Sequence, residues 1–255
     1  MELNFSRAGE GPPLLLIHGL FGSLENLGGI ARLLAKRFSV YSIDLPDHGR
    51  SPHTESLSLG SMAAAVAGWL DSRQLGQISV VGHSLGGKVG MELALSDLAK
   101  VDKLVVMDIA PVKYPPHHED IFAGLAAIHT ENLATRSEAD EILKQFVSET
   151  PIRSFLLKNL VKKNKGYAWR MNLPVLQQDY DEISAANTDG ARFFGDVLFI
   201  KGGDSEYIQQ EHRQAILSRF PKANVKIVPG AGHWLHAEKP ELLASIITRF
   251  MTGEI

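Results

Sequence analysis

Gly82-His83-Ser84-Leu85-Gly86-Gly87 is the stretch on which the fold turns. It fits the pattern G-x-S-x-G. Ile78-Ser79-Val80-Val81 before it reads as a buried strand, and an apolar-periodic helix runs after it from Leu85 to about Leu98. A serine at a tight strand-to-helix turn needs small neighbours, because the chain must pass close above and below a strained residue. The helix that follows points free N–H groups back at the serine, where negative charge can be stabilised. Ser84 is therefore the candidate nucleophile.

Working outward, the same strand-helix rhythm repeats. Leu14-Leu15-Leu16-Ile17 is an apolar run that stops at His18-Gly19. Leu27, Ile30, Leu33, Leu34 and Phe38 follow at helical spacing, and 39–44 reads as the next strand. A helix is expected over 61–75 with Ser61 as N-cap, and a strand over 103–108. Strands this apolar, alternating with helices, predict a mostly parallel sheet covered on both faces. The rhythm breaks between Ala110 and Ala191. Helical stretches around 118–129, 137–148 and 151–163 are expected there, with no buried strand. A run of that length is too long for a loop. It reads as a helical cap inserted after the sixth strand, giving a core of 1–111 and 191–255 and a cap of 112–190. Strands at 196–201 and 224–228 and helices at 206–219 and 236–251 complete the core.

Composition narrows the chemistry. The chain has 255 residues, 44% apolar and 22% charged, with a formal charge of -3. Charge this balanced lacks the basic footprint of nucleic-acid binding. Cysteine is absent, which excludes disulfides, thiolate metal sites and a cysteine nucleophile and suits a reducing, cytoplasmic compartment. The N-terminus carries no signal-peptide pattern, and no apolar run approaches the ~20 residues of a membrane span. No metal motif, P-loop or dinucleotide fingerprint is present, so no cofactor or metal is expected.

A hydroxyl nucleophile needs a base, and among ten histidines position selects one. His233 lies in Gly230-Ala231-Gly232-His233-Trp234, after the last strand and before the last helix, at the same sheet edge as Ser84. His18, His48 and His83 touch turns and read as structural; His117 and His118 read as solvated. The acid that orients the base is either Asp108 or Asp204. Each follows a strand and keeps the chain order Ser, Asp, His. Backbone donors for an oxyanion are expected at Leu85 and at Leu20, with Phe21 as second choice. Phe21, Trp169, Arg170 and Trp234 are candidate substrate contacts. Arg170 and Asn172 could equally lock the cap to the core.

The segments HGLFGS (18–23), DLPDHGRS (44–51), GHSLGGK (82–88), MDIAPV (107–112), WRMNLPVL (169–176) and GAGHWLHAEKP (230–240) together resemble the α/β-hydrolase superfamily. Within it they are similar to the YbfF-type bacterial esterases and the group of abhydrolase domain-containing protein eleven. The resemblance implies an α/β-hydrolase fold and a serine esterase or thioesterase acting on a small-molecule acyl ester or acyl-CoA, with Ser84 as nucleophile and His233 as base. It also implies Asp108 as acid, because the usual superfamily acid position falls on Ser205 and leaves Asp204 one residue out of register. A C–C bond hydrolase, a perhydrolase or a slow-turnover ligand-binding homologue uses the same scaffold. Oligomeric state is not legible in the sequence.

Overall fold

In strand after strand, neighbouring apolar residues point to opposite faces. Leu15 and Ile17 belong to one buried cluster, Leu14 and Leu16 to another. Val80 and Val81 divide the same way, as do Leu104 and Val106 against Val105 and Met107, and Val197 and Phe199 against Leu198 and Ile200. A strand buried on both sides needs no polar alternation, which is why these segments read as continuous apolar runs. The computed structural model describes residues 1–254.

The seven-stranded sheet contains β1 (Phe5–Ala8), β2 (Pro13–Ile17), β3 (Ser39–Ile43), β4 (Ile78–His83), β5 (Val101–Met107), β8 (Asp196–Gly202) and β9 (Ala223–Val228). Its order is β1-β3-β2-β4-β5-β8-β9. Only β1 runs antiparallel, on β3; every other neighbour is parallel. One face is covered by α1 (Gly28–Leu34), α10 (Leu235–Glu238) and α11 (Pro240–Thr252), which supply Ile30, Leu34, Leu243 and Ile247. The other is covered by α2 (Leu59–Ser72), α3 (Leu85–Ser96) and α9 (Arg213–Arg219), which supply Trp69, Val89 and Ile216. Helix α2 starts two residues before the expected Ser61. Ser58 is its N-cap, and the two serines bond each other's backbone N–H reciprocally. The expected C-terminal helix is divided in two, because Pro240 opens α11 at a position where its missing N–H costs nothing.

Between β5 and β8 the chain forms α4 (Glu119–Ala126), α5 (Arg136–Leu143), α6 (Thr150–Leu156), α7 (Leu173–Gln178) and α8 (Tyr180–Ile183). Two expectations are corrected here. The insertion is not all helical: β6 (Leu160–Lys162) and β7 (Tyr167–Trp169) pair as an antiparallel hairpin. Their three-residue length gives no readable alternation in sequence. The insertion also follows the fifth strand, not the sixth. Only twelve residues precede β2, and they hold one edge strand.

Candidate active site

The turn at Ser84 is built by close backbone approach. Ser84 has φ 52° and ψ -119°, a region costly to any residue with a Cβ. A Cβ on Gly82 would lie 2.1 Å from the Gly86 carbonyl oxygen, and one on Gly86 would lie 2.2 Å from that of Ile17. Both glycines are therefore required by space. Leu85 is the first residue of α3, so its N–H has no intrahelical acceptor. Among the described residues the Leu20 N–H also has no acceptor within the chain. Phe21, the second-choice donor, has φ 59°, and its carbonyl accepts a 2.7 Å bond from the buried Asn159 amide of the insertion.

Past the ends of β5 and β9, which flank β8, Asp108 and His233 come together. His233 Nδ1 lies 2.8 Å from Asp108 Oδ2. Asp108 is fully buried and also has positive φ, 55°. Its Oδ1 accepts the Gly202 N–H at 2.9 Å, and its Oδ2 accepts the Ser205 hydroxyl. With the carboxylate already accepting, the imidazole holds its proton on Nδ1, which leaves Nε2 as an acceptor. Asp204 is exposed and bonds Ala231 O through its own N–H, away from the ring.

Two further aromatic groups fix the ring. Tyr207 stacks on the His233 imidazole at 3.9 Å with 19° between planes. Its hydroxyl meets His117 Nε2 at 2.7 Å, while His117 Nδ1–H donates to Pro115 O. His83 donates from Nε2 to the His233 carbonyl at 2.8 Å, holding the loop. Burial, then the neighbouring His236 and His233, pushes His83 well below the ordinary histidine range, so it serves as a neutral donor. His18 is also pushed down by burial and stays neutral, donating from Nδ1 to Gly19 O and accepting the Leu45 N–H on Nε2. Tyr207 carried no signal in the sequence beyond following a parallel strand.

A cavity of about 310 Å³ opens at Ser84 and His233, walled by Phe21, Leu27, Ile121, Ile152, Phe155 and Trp234. His117 and His118 line it too, so the expectation that they are merely solvated is corrected. Burial, then His117 and His233, lowers the His118 pKa to about 3. Trp169 and Arg170 do not line the cavity, which corrects their expected substrate contact. They sit at the end of the β6–β7 hairpin, where the Arg170 guanidinium is 3.7 Å from Glu25 and the Arg170 backbone N–H donates to Asn159 O. Asn172 likewise binds the core, through Asp47 Oδ1 at 2.7 Å and Thr54 O at 3.0 Å. Among the described residues, no cluster of three or more His, Asp or Glu is arranged to hold a metal ion.

This fold and turn agree with the sequence profile of the alpha/beta hydrolase family, which matches residues 14–246. The chain belongs to that family. It is 38% identical to esterase YbfF of Escherichia coli over 240 residues, covering 94% of this chain and 92% of that one. It is 37% identical to the sn-1-specific diacylglycerol lipase ABHD11 of Mus musculus, covering 94% of this chain and 81% of the relative. A solved marine microorganism esterase is 37% identical and superposes with a TM-score of 0.94 over 98% of this chain and 99% of that chain. No helix among the described residues is long and apolar enough to cross a membrane.

Proposed function

We propose that this alpha/beta hydrolase cleaves carboxylic esters through an acyl-enzyme on Ser84. The observation that carries the proposal is the buried carboxylate of Asp108 on His233 Nδ1, at the mouth of the cavity that also exposes the strained Ser84. His233 Nε2 takes the Ser84 proton as Oγ attacks the acyl carbonyl, and returns it to the leaving oxygen; water then repeats the sequence on the acyl-enzyme. Asp108 keeps the imidazole in the required tautomer and stabilises its charged form. The N–H groups of Leu85 and Leu20 receive the oxyanion, each worth about 2.7–4 kcal/mol in the transition state.

In this reading residues 112–190 form the cap over a core of 1–111 and 191–255. The names of the esterase and lipase relatives support an ester substrate. A thioester would pass through the same steps. Of the two, the ester fits better, because among the described residues no Lys or Arg lines the cavity to meet the phosphates of an acyl-CoA. The absence of cysteine supports action in a reducing compartment.

The test is hydrolysis of an acyl ester series and an acyl-CoA series, with Ser84→Ala as control. Turnover of the esters, falling about a millionfold in the control, is expected. Turnover that survives the control, or none in either series, would remove the serine-hydrolase reading.

A further inference from the structure

The space around Ser84 has two arms of very different size. The first is the cavity of about 310 Å³. The second, about 40 Å³, opens beside it and is lined by Leu85, Lys88, Ile109, Tyr114 and Ile183, among others. Ser84 and Leu20 line both arms, so they meet at the candidate nucleophile. His233 lines only the large one.

From this geometry we infer that the protein is selective for esters of a very short acyl group, acetate above all, with a bulky, uncharged, apolar alcohol. The inference rests on the serine-esterase reading above. His233 protonates the departing oxygen, so the leaving alcohol must occupy the arm that His233 lines. The acyl tail is left with the other arm. A cavity of about 150 Å³ holds a benzene molecule; the small arm has roughly a quarter of that volume and fits a tail of one or two carbons. Its walls are firm: Ile109 and Ile183 are buried, and Lys88 is fixed by two backbone carbonyls, Val112 O at 2.7 Å and Ala185 O at 2.5 Å. The large arm is walled mainly by aliphatic and aromatic side chains, and among the described residues no Lys, Arg, Asp or Glu faces it. A charged alcohol would lose its hydration there without a partner. The products are acetate and the free alcohol: the acetyl C–O bond to the alcohol breaks as the Ser84 proton passes through His233 to the alcohol, Ser84 Oγ holds the acetyl group in between, and water then gives its oxygen to the acetyl carbon, one proton back to Ser84 and the other to the medium.

Hexyl acetate and ethyl hexanoate are isomers that exchange the long and short sides, so they differ in placement and hardly in hydrophobicity. Hexyl acetate is expected to be hydrolysed with kcat/KM at least about tenfold higher, the discrimination that one misplaced methylene can already give. Ile183→Ala, which lengthens the small arm, should raise kcat/KM for ethyl hexanoate relative to hexyl acetate by about tenfold. Ile183→Val should move the ratio the same way, less far, and serves if the alanine variant folds poorly. Equal rates, or preference for ethyl hexanoate by the unaltered enzyme, would overturn the inference and leave the esterase reading standing. Failure to hydrolyse either isomer would overturn both.

Discussion

The Asp108 carboxylate meets three donors, from Gly202, Ser205 and His233. A fully buried carboxylate needs such partners to offset its lost hydration. Asn at this position must turn its amide NH2 group toward one of those donors or present it to His233, which forces the wrong tautomer. Asp108→Asn should therefore lower kcat by about ten-thousandfold. Asp204→Asn, altering an exposed side chain, should leave kcat within about twofold. Steady-state kinetics of the two variants decide between them, and a collapse in Asp204→Asn alone would reverse the assignment. Spacing could not separate these aspartates, since both follow strands. What separates them is β5 lying beside β8, which puts Ser205 and Gly202 around the Asp108 carboxylate. Positive φ at Phe21, Ser84 and Asp108 marks the site as a place of stored strain. Only the serine announced its strain in the sequence, through its flanking glycines.

At the scale of elements, the insertion is fastened to the helix that begins at Ser84. Lys88, one turn into α3, donates to Val112 O at the start of the insertion and to Ala185 O near its end. One turn further on, Glu92 receives the side chains of Asn187 and Thr188. Both stems therefore close onto a single helix. Burial lowers the Lys88 pKa to about 7, with Glu92 opposing the fall and Arg219 adding to it. Lys88→Met keeps the length of the side chain and leaves two half-buried carbonyls without their donor, at up to about 1–3 kcal/mol each. Expected are a lower urea midpoint and faster proteolytic cutting within 111–118 and 184–191 than elsewhere. Unchanged cutting at both stems would show that the lysine does not hold them. The insertion was visible in the sequence as a break in the strand-helix rhythm. Its fastening was not, because a lysine inside an apolar helix looks the same whether it reaches solvent or two carbonyls.

Across the whole molecule, histidines are buried as neutral rings around the candidate site. Burial, and for His48 also His18, lowers the His48 pKa to about 3; burial, then His233, lowers His236 to about 4. His118 falls to about 3, and His18 and His83 shift the same way. Counting ten histidines in the sequence predicts none of this, since the shift depends on which rings the sheet and insertion enclose. The sign follows from proton uptake. Below the ordinary value of 6.5 the unfolded chain binds protons that the folded chain refuses, so the unfolded state gains. The stability contributed by these neutral rings is fully present above pH 6.5 and is lost as pH falls toward their folded values. Each ring adds a slope of about 1.4 kcal/mol per pH unit within its window. Urea unfolding at steps from pH 6.5 down to about 4 should therefore show a steep, continuous fall in stability. His48→Asn should make that fall shallower by about one ring's share, because His48 titrates far below 6.5 and its Nε2 has no hydrogen-bond partner to lose among the described residues. A flat profile across this range would mean that the rings are protonated, or reach water, in the folded protein.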